Sequence, residues 1–200
     1  PFCSWLGLCF YYSPGFELTV VDAETGKPLE GVYAWAEWVQ YGGHSTAPLV
    51  VQDAFTNARG HLSFPRWGPR SGSRLGLPLG RDPIVILFKA GYTTLLADNS
   101  VPPGSGHHAA IRSFWRGGET LRLEPFRGAA AEWPEQIQRL AYPAIHGSVP
   151  DSHRDQFGAL YLRRAGIAIQ ELGRLPRDTE HVEVLLRGLD RSVRFYRGEE

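Results

Sequence analysis

Turn-forming residues cut the first 126 positions into segments too short for helices and of the right length for strands. Phe16, Leu18 and Val20 alternate with Glu17 and Thr19, the period of two expected of a half-buried strand. Residues 22–31 follow as a turn cluster, in which Gly26 can take a positive φ and Pro28 stiffens the exit. A β-rich run from Val32 to Tyr41 ends at Gly42-Gly43-His44. Residues 50–56, the turn Asn57-Ala58-Arg59-Gly60 and residues 61–64 read as strand, tight turn, strand. Ile84 to Phe88 is a continuous apolar run, the pattern of a central strand covered on both faces. Residues 93–97 and 120–124 add two further strands. The Pro-, Gly-, Ser- and Arg-rich stretch 65–83 and the stretch 98–118 are predicted to be long loops. No helical period lies between these strands, which argues against a parallel sheet and for a sandwich.

After Phe126 the pattern changes. Residues 129–140 favour a helix with Pro134 in its first turn. Asp151 or Ser152 can cap a helix reaching about Leu175, with Phe157, Leu160, Tyr161, Ala165, Ala168, Ile169 and Leu172 on one face. Pro176 stops it, and Thr179 can cap a last helix carrying Val182, Leu185, Leu186, Leu189, Val193 and Tyr196 on one stripe. The last two helices read as an α-helical hairpin that must bury its apolar stripe on itself, on the sandwich or on another subunit.

The segments Val20-Val-Asp-Ala-Glu-Thr-Gly-Lys-Pro-Leu-Glu-Gly-Val32, Thr56-Asn-Ala-Arg-Gly-His-Leu-Ser-Phe64 and Phe88-Lys-Ala-Gly-Tyr92 resemble the carboxypeptidase-regulatory-like family. Asn57 stands where that family more often has Asp. Residues 64–69 and the stretch after them resemble an uncharacterised proteobacterial envelope subgroup. The resemblance covers roughly residues 16–126. It implies a seven-stranded Greek-key β-sandwich of the transthyretin (prealbumin) type, found mostly in exported proteins, and carries over no catalytic residue. The expected organisation is an apolar N-terminal anchor or docking segment at 1–15, the sandwich at 16–126 and a helical tail at 127–200. The fold class is mainly β with the C-terminal helical hairpin appended.

The opening segment Pro1 to Tyr12 is apolar and aromatic, yet short of the roughly 20 apolar residues a membrane-spanning helix needs. It reads as a membrane-facing anchor, the remnant of a targeting segment, or a strand buried against a partner. The sequence contains no Met and starts at Pro1, which predicts a cleaved signal peptide. Both cysteines, Cys3 and Cys9, lie here. Two readings stay open: a short-loop disulfide, or lipidation at Cys3, against which Phe2 is an unfavourable preceding residue. Either fits an exported, periplasmic location on an inner- or outer-membrane face.

A formal net charge of +0 does not favour a nucleic-acid partner. No His-Glu-x-x-His pattern or nucleophile elbow is present, and His107-His108 on extended chain would point to opposite sides. No cofactor, metal or catalytic set is therefore predicted. The aromatic run is more informative. Strict alternation puts Tyr33, Trp35, Val39 and Tyr41 on one face and Val32, Ala34, Ala36 and Trp38 on the other. An open Tyr33/Trp35/Tyr41 face would suit sugar stacking; the competing expectation is that the helical tail covers it. Arg187, Arg191 and Arg194 form a helical stripe, but Glu183–Arg187 and Asp190–Arg194 pairings favour a solvated face. The expected function is a non-catalytic accessory or scaffold protein of the bacterial envelope. It would dock onto protein partners in a membrane-associated assembly through its N-terminus, its long loops and its helical tail, with Phe2, Trp5, Leu8, Phe10, Trp67 and Trp115 as interaction residues, and the alternative is a carbohydrate-binding module.

Overall fold

The computed structural model describes residues 2–3, 8–42, 45–73, 76–78, 83–99, 111–141, 151–176 and 180–199. Among them are eleven strands: β1 (Phe2–Cys3), β2 (Leu8–Ser13), β3 (Phe16–Asp22), β4 (Tyr33–Gly42), β5 (Ser45–Phe55), β6 (His61–Phe64), β7 (Trp67–Ser73), β8 (Gly76–Pro78), β9 (Ile84–Phe88), β10 (Leu95–Ala97) and β11 (Thr120–Leu123). Three helices follow: α1 (Trp133–Ala141), α2 (Asp151–Leu172) and α3 (Glu180–Arg197). None of the described helices is long and apolar enough to cross a membrane.

The strands form three sheets. One has the order β11-β3-β6, with β3 and β11 parallel. The second has the order β10-β9-β4-β5, with β8 also on β4. The third, β1-β2-β7, joins the N-terminus to the chain after β6. Stretch 65–83, expected to be a loop, therefore contains two strands. Its Gly and Pro content reads as loop because β7 is an edge strand, bonded along one side to β2, and an edge tolerates Pro69.

Two apolar cores share the β4 sheet. On one side Ala34, Ala36, Trp38, Val50, Val85 and Leu87 pack with Phe16, Leu18, Val20, Leu62, Phe64, Leu121 and Leu123. On the other, Tyr33, Trp35, Val51, Ile86 and Phe88 pack with Ile137, Leu140, Phe157, Tyr161, Ala165, Leu172, Val182 and Leu185 from the helices. The layering is sheet, sheet, helices. The helical stripes read from periodicity thus have their counterpart in the far face of the sheet, which is why short amphipathic helices are stable there.

The turn motifs meet at one end of the sandwich. Asp22 Oδ1 accepts from the amides of Glu24 (3.0 Å) and Thr25 (2.7 Å), and Tyr92 OH donates to its Oδ2 (2.8 Å). Thr56 Oγ1 donates to Leu29 O (2.5 Å) and accepts from the Val32 amide (2.9 Å). The three segments that read as a motif therefore bond to one another, a structural task rather than a chemical one. The Thr25 amide first, and then the Tyr92 hydroxyl, hold the Asp22 carboxyl below its ordinary value of 3.8. A carboxyl depressed on folding stabilises fully above its unfolded value, and that contribution is lost as pH falls through the lower folded one. Stability measured by thermal unfolding between about pH 5 and about pH 2 should fall more steeply in the wild type than in Asp22→Asn. Parallel curves would remove Asp22 from the account.

Candidate interaction surface

Strand β2 alternates its side chains between the core and the outside. Cys9, Tyr11 and Ser13 are buried, whereas Phe10 and Tyr12 remain 41% and 39% exposed. The strand is held firmly. Ser13 Oγ donates to Arg112 O (2.6 Å), the Arg112 amide donates to Tyr12 O (2.9 Å), and Trp38 Nε1 donates to that same Arg112 carbonyl (2.9 Å). Arg112 Nη2 reaches Val39 O (3.1 Å). Burial lowers the Arg112 guanidinium to about 10, so it stays a cation at neutral pH. The outward rings of β2 thus sit on a strand bonded to the central sheet through Arg112.

Cys9 is disulfide-bonded, and Cys3, the only other cysteine in the sequence, is its direct cross-strand partner in the β1–β2 register. That pairing uses the sulfur that lipidation at Cys3 would require. Phe2 lies opposite Phe10 in the same register, and Leu8 opposite Ser73. The side chains of Phe2 and Leu8 and all of Trp5 lie outside the described residues.

The remaining predicted site residues divide sharply. Trp67 is buried and meets Trp38 edge-on at 5.5 Å, so it serves the core rather than a partner. Trp115 is exposed, with its amide donating to Asn99 Oδ1 (2.7 Å). Tyr33 and Trp35 are covered by the helices, Trp35 completely. They cannot form a sugar-stacking platform, because the tail buries the face that alternation had left open. The Tyr41 side chain lies outside the described part of β4.

Beneath the helices is a polar cluster that the sequence reading missed. Glu37, in the middle of β4, accepts from Trp35 Nε1 (3.0 Å) and from Tyr161 OH (3.3 Å). The guanidinium of Arg164, itself 4% exposed, lies 4.1 Å from the Trp35 ring centroid and 4.9 Å from that of Tyr161. Its Nη1 has no hydrogen-bond partner among the described residues. Tyr196 stacks on Tyr161 at 4.6 Å, and burial pushes its hydroxyl up to about 12. Nearby, Asp53 accepts from Arg163 Nη1 (2.8 Å) and from Tyr33 OH (3.2 Å). The available signals were a charge inside an apolar strand and an arginine within the apolar face of α2. The cluster fastens the helices to the sheet.

Where β3 begins, a groove of about 590 Å³ is lined by Pro14, Phe16, Phe64, Arg66 and Phe114 among others. Glu17, also at this groove, faces His61 at 3.3 Å. No group of three or more metal-ligating side chains occurs among the described residues, and His107-His108 lie outside them. On α3, Arg194 Nε bonds Asp190 (3.0 Å), the pairing expected of a solvated face.

No protein-family model and no curated protein matches the chain. Among solved structures, the backbone protein of pilus 2b of group B streptococcus is similar at TM-score 0.31 and 12% identity, over 57% of this chain and 42% of that one. A 9R-lipoxygenase from Cyanothece PCC8801 is similar at TM-score 0.29 and 13% identity, over 80% of this chain and 22% of that one. The chain spans less than half the length of either, and both TM-scores are too low for the likeness to carry weight.

Proposed function

We propose that the chain is a non-catalytic accessory or scaffold protein of the bacterial envelope, exported to the periplasmic side, that docks onto a membrane-associated assembly through its β1-β2-β7 sheet. The observation that carries this reading is the outward presentation of Phe10 and Tyr12 on a strand locked to the core. Large rings held out on a fixed backbone lose little conformational freedom on binding. The disulfide at Cys9 supports an oxidising compartment. Residues 16–126 are read as a carboxypeptidase-regulatory-like, Greek-key sandwich. Seven strands, β3 to β6 and β9 to β11, supply two facing sheets, and the quoted motif residues bond one another. The helices α2 and α3 act as a hairpin that covers the sheet.

The test is purification from the membranes of the native cells, comparing wild type with Phe10→Ser/Tyr12→Ser. The wild type should bring a defined set of proteins through size exclusion, and the double variant should lose them while keeping its thermal unfolding temperature. A solitary wild-type monomer, or a variant that keeps the same companions, would defeat the proposal.

A further inference from the structure

We infer that the outer face of the β1-β2-β7 sheet, with Phe10 and Tyr12 on β2 and Arg66 at the entry to β7, docks onto an anionic lipid headgroup surface. The inference rests on the docking role just proposed for the same face and names what that face meets.

Charge is the deciding observation. Residues 1–16 carry no charged side chain. Residues 60–73 contain Arg66 and Arg70 and no Asp or Glu. The third sheet takes β1 and β2 from the first stretch and β7 from the second, so none of its strands contains an acidic residue. Arg66 is the exposed cation beside the outward rings, in a protein whose net charge is +0. A layer of anionic headgroups over hydrocarbon matches both parts. Tyr favours the headgroup level, Phe the acyl boundary beneath it, and Arg is attracted by the negative surface potential.

Geometry agrees. Phe10 and Tyr12 are two residues apart on one strand and so point the same way. Ser71, paired with Phe10 across the sheet, is small and exposed and leaves the rings standing above it. Arg66 is exposed immediately before Trp67, which pairs with Ser13 at the Tyr12 end of β2. Two rings and one exposed arginine give weak, reversible, salt-sensitive attachment rather than anchoring.

The test is co-sedimentation of the full chain with phosphatidylglycerol–phosphatidylcholine vesicles against pure phosphatidylcholine. Binding should appear only with the anionic vesicles and fall about tenfold when salt is raised to about 0.5 M. Phe10→Ser/Tyr12→Ser should weaken it by about tenfold, and Arg66→Gln, which leaves the rings in place, by about fivefold. Arg59→Gln, in the turn before β6, should leave it unchanged. Equal binding to both vesicle types, no binding, or losses as large for Arg59 as for Arg66 would overturn the inference. If vesicles are not bound yet the double variant still loses its co-purifying proteins, the lipid inference falls and the docking role stands. If vesicles are bound while co-purification is untouched, a protein assembly docked through this face is excluded and the lipid surface remains.

Discussion

Replacing Gly60 with alanine is expected to remove a large part of the stability of this protein, on the order of 4 kcal/mol. Gly60 has φ of +70°, and a Cβ there would overlap the Val20 carbonyl and come within 3.2 Å of both the Leu29 amide and the Pro28 Cβ. These are not free ends that can swing aside. The Val20 amide bonds Gly60 O at 2.8 Å and the Leu29 amide bonds Val20 O at 3.0 Å, so the new methyl would push on the backbone that joins β3 to its neighbours. Gly26 supplies the control. Its φ is +67°, but nothing lies within 4 Å of the position its Cβ would take. Gly26→Ala should therefore cost only the left-handed backbone penalty, about 1–2 kcal/mol. Urea unfolding followed by circular dichroism measures both. Equal losses in the two variants would mean that conformation alone, not close approach, requires glycine at 60.

The same pair shows what was legible in the sequence. Strands β3, β4, β6, β9 and β11 and the turns beside them follow from local chemistry, namely alternation, Gly at positive φ and the Asn57–Gly60 turn, whereas β5 begins at Ser45, five residues before the strand expected at 50–56. The helices were legible for the same reason, since Pro176 and the apolar stripes of α2 and α3 act within one element. Strand β7 was not. Trp67–Ser73 becomes a strand only because β2, more than fifty residues earlier, offers it a hydrogen-bonding edge, and no local pattern records that partner. The aromatic row was half legible. Alternation correctly set Tyr33 and Trp35 opposite Ala34 and Ala36, but periodicity cannot say which of two apolar faces meets the helices and which the second sheet. The outward role fell instead to Tyr12, passed over as one letter of an apolar run, and to Phe10. The cluster in which Glu37 and Arg164 meet the same Trp35 and Tyr161 rings was invisible because it joins a strand and a helix whose contact is purely tertiary.

That cluster yields the other large effect. Glu37→Leu should destabilise by about 3–5 kcal/mol, the range for breaking a buried charged arrangement from one side. The substitution leaves the Trp35 indole N–H and the Tyr161 hydroxyl without the carboxylate that accepts from both, and leaves Arg164 buried with an Nη1 that already lacks a partner. Glu37 and Arg164 act on the same rings: the carboxylate raises, and the guanidinium lowers, the Tyr161 and Tyr196 hydroxyls, although burial remains the larger influence on both. Arg164→Met, which keeps the apolar stem between Trp35 and Tyr161, removes the cation while Glu37 retains its two donors. It should therefore cost less than Glu37→Leu. The double variant is expected to be less destabilised than the sum of the single changes by about 2 kcal/mol, because the second substitution removes the charge stranded by the first. Glu37→Gln in the Arg164→Met background separates the contributions, since the amide oxygen can still accept a hydrogen bond without presenting an anion. Strict additivity in the urea-derived values would show that the carboxylate and the guanidinium are held independently. Coupling would show that the helical layer is fixed to the β4 sheet by two buried charges acting through shared aromatic rings as well as by its apolar stripe.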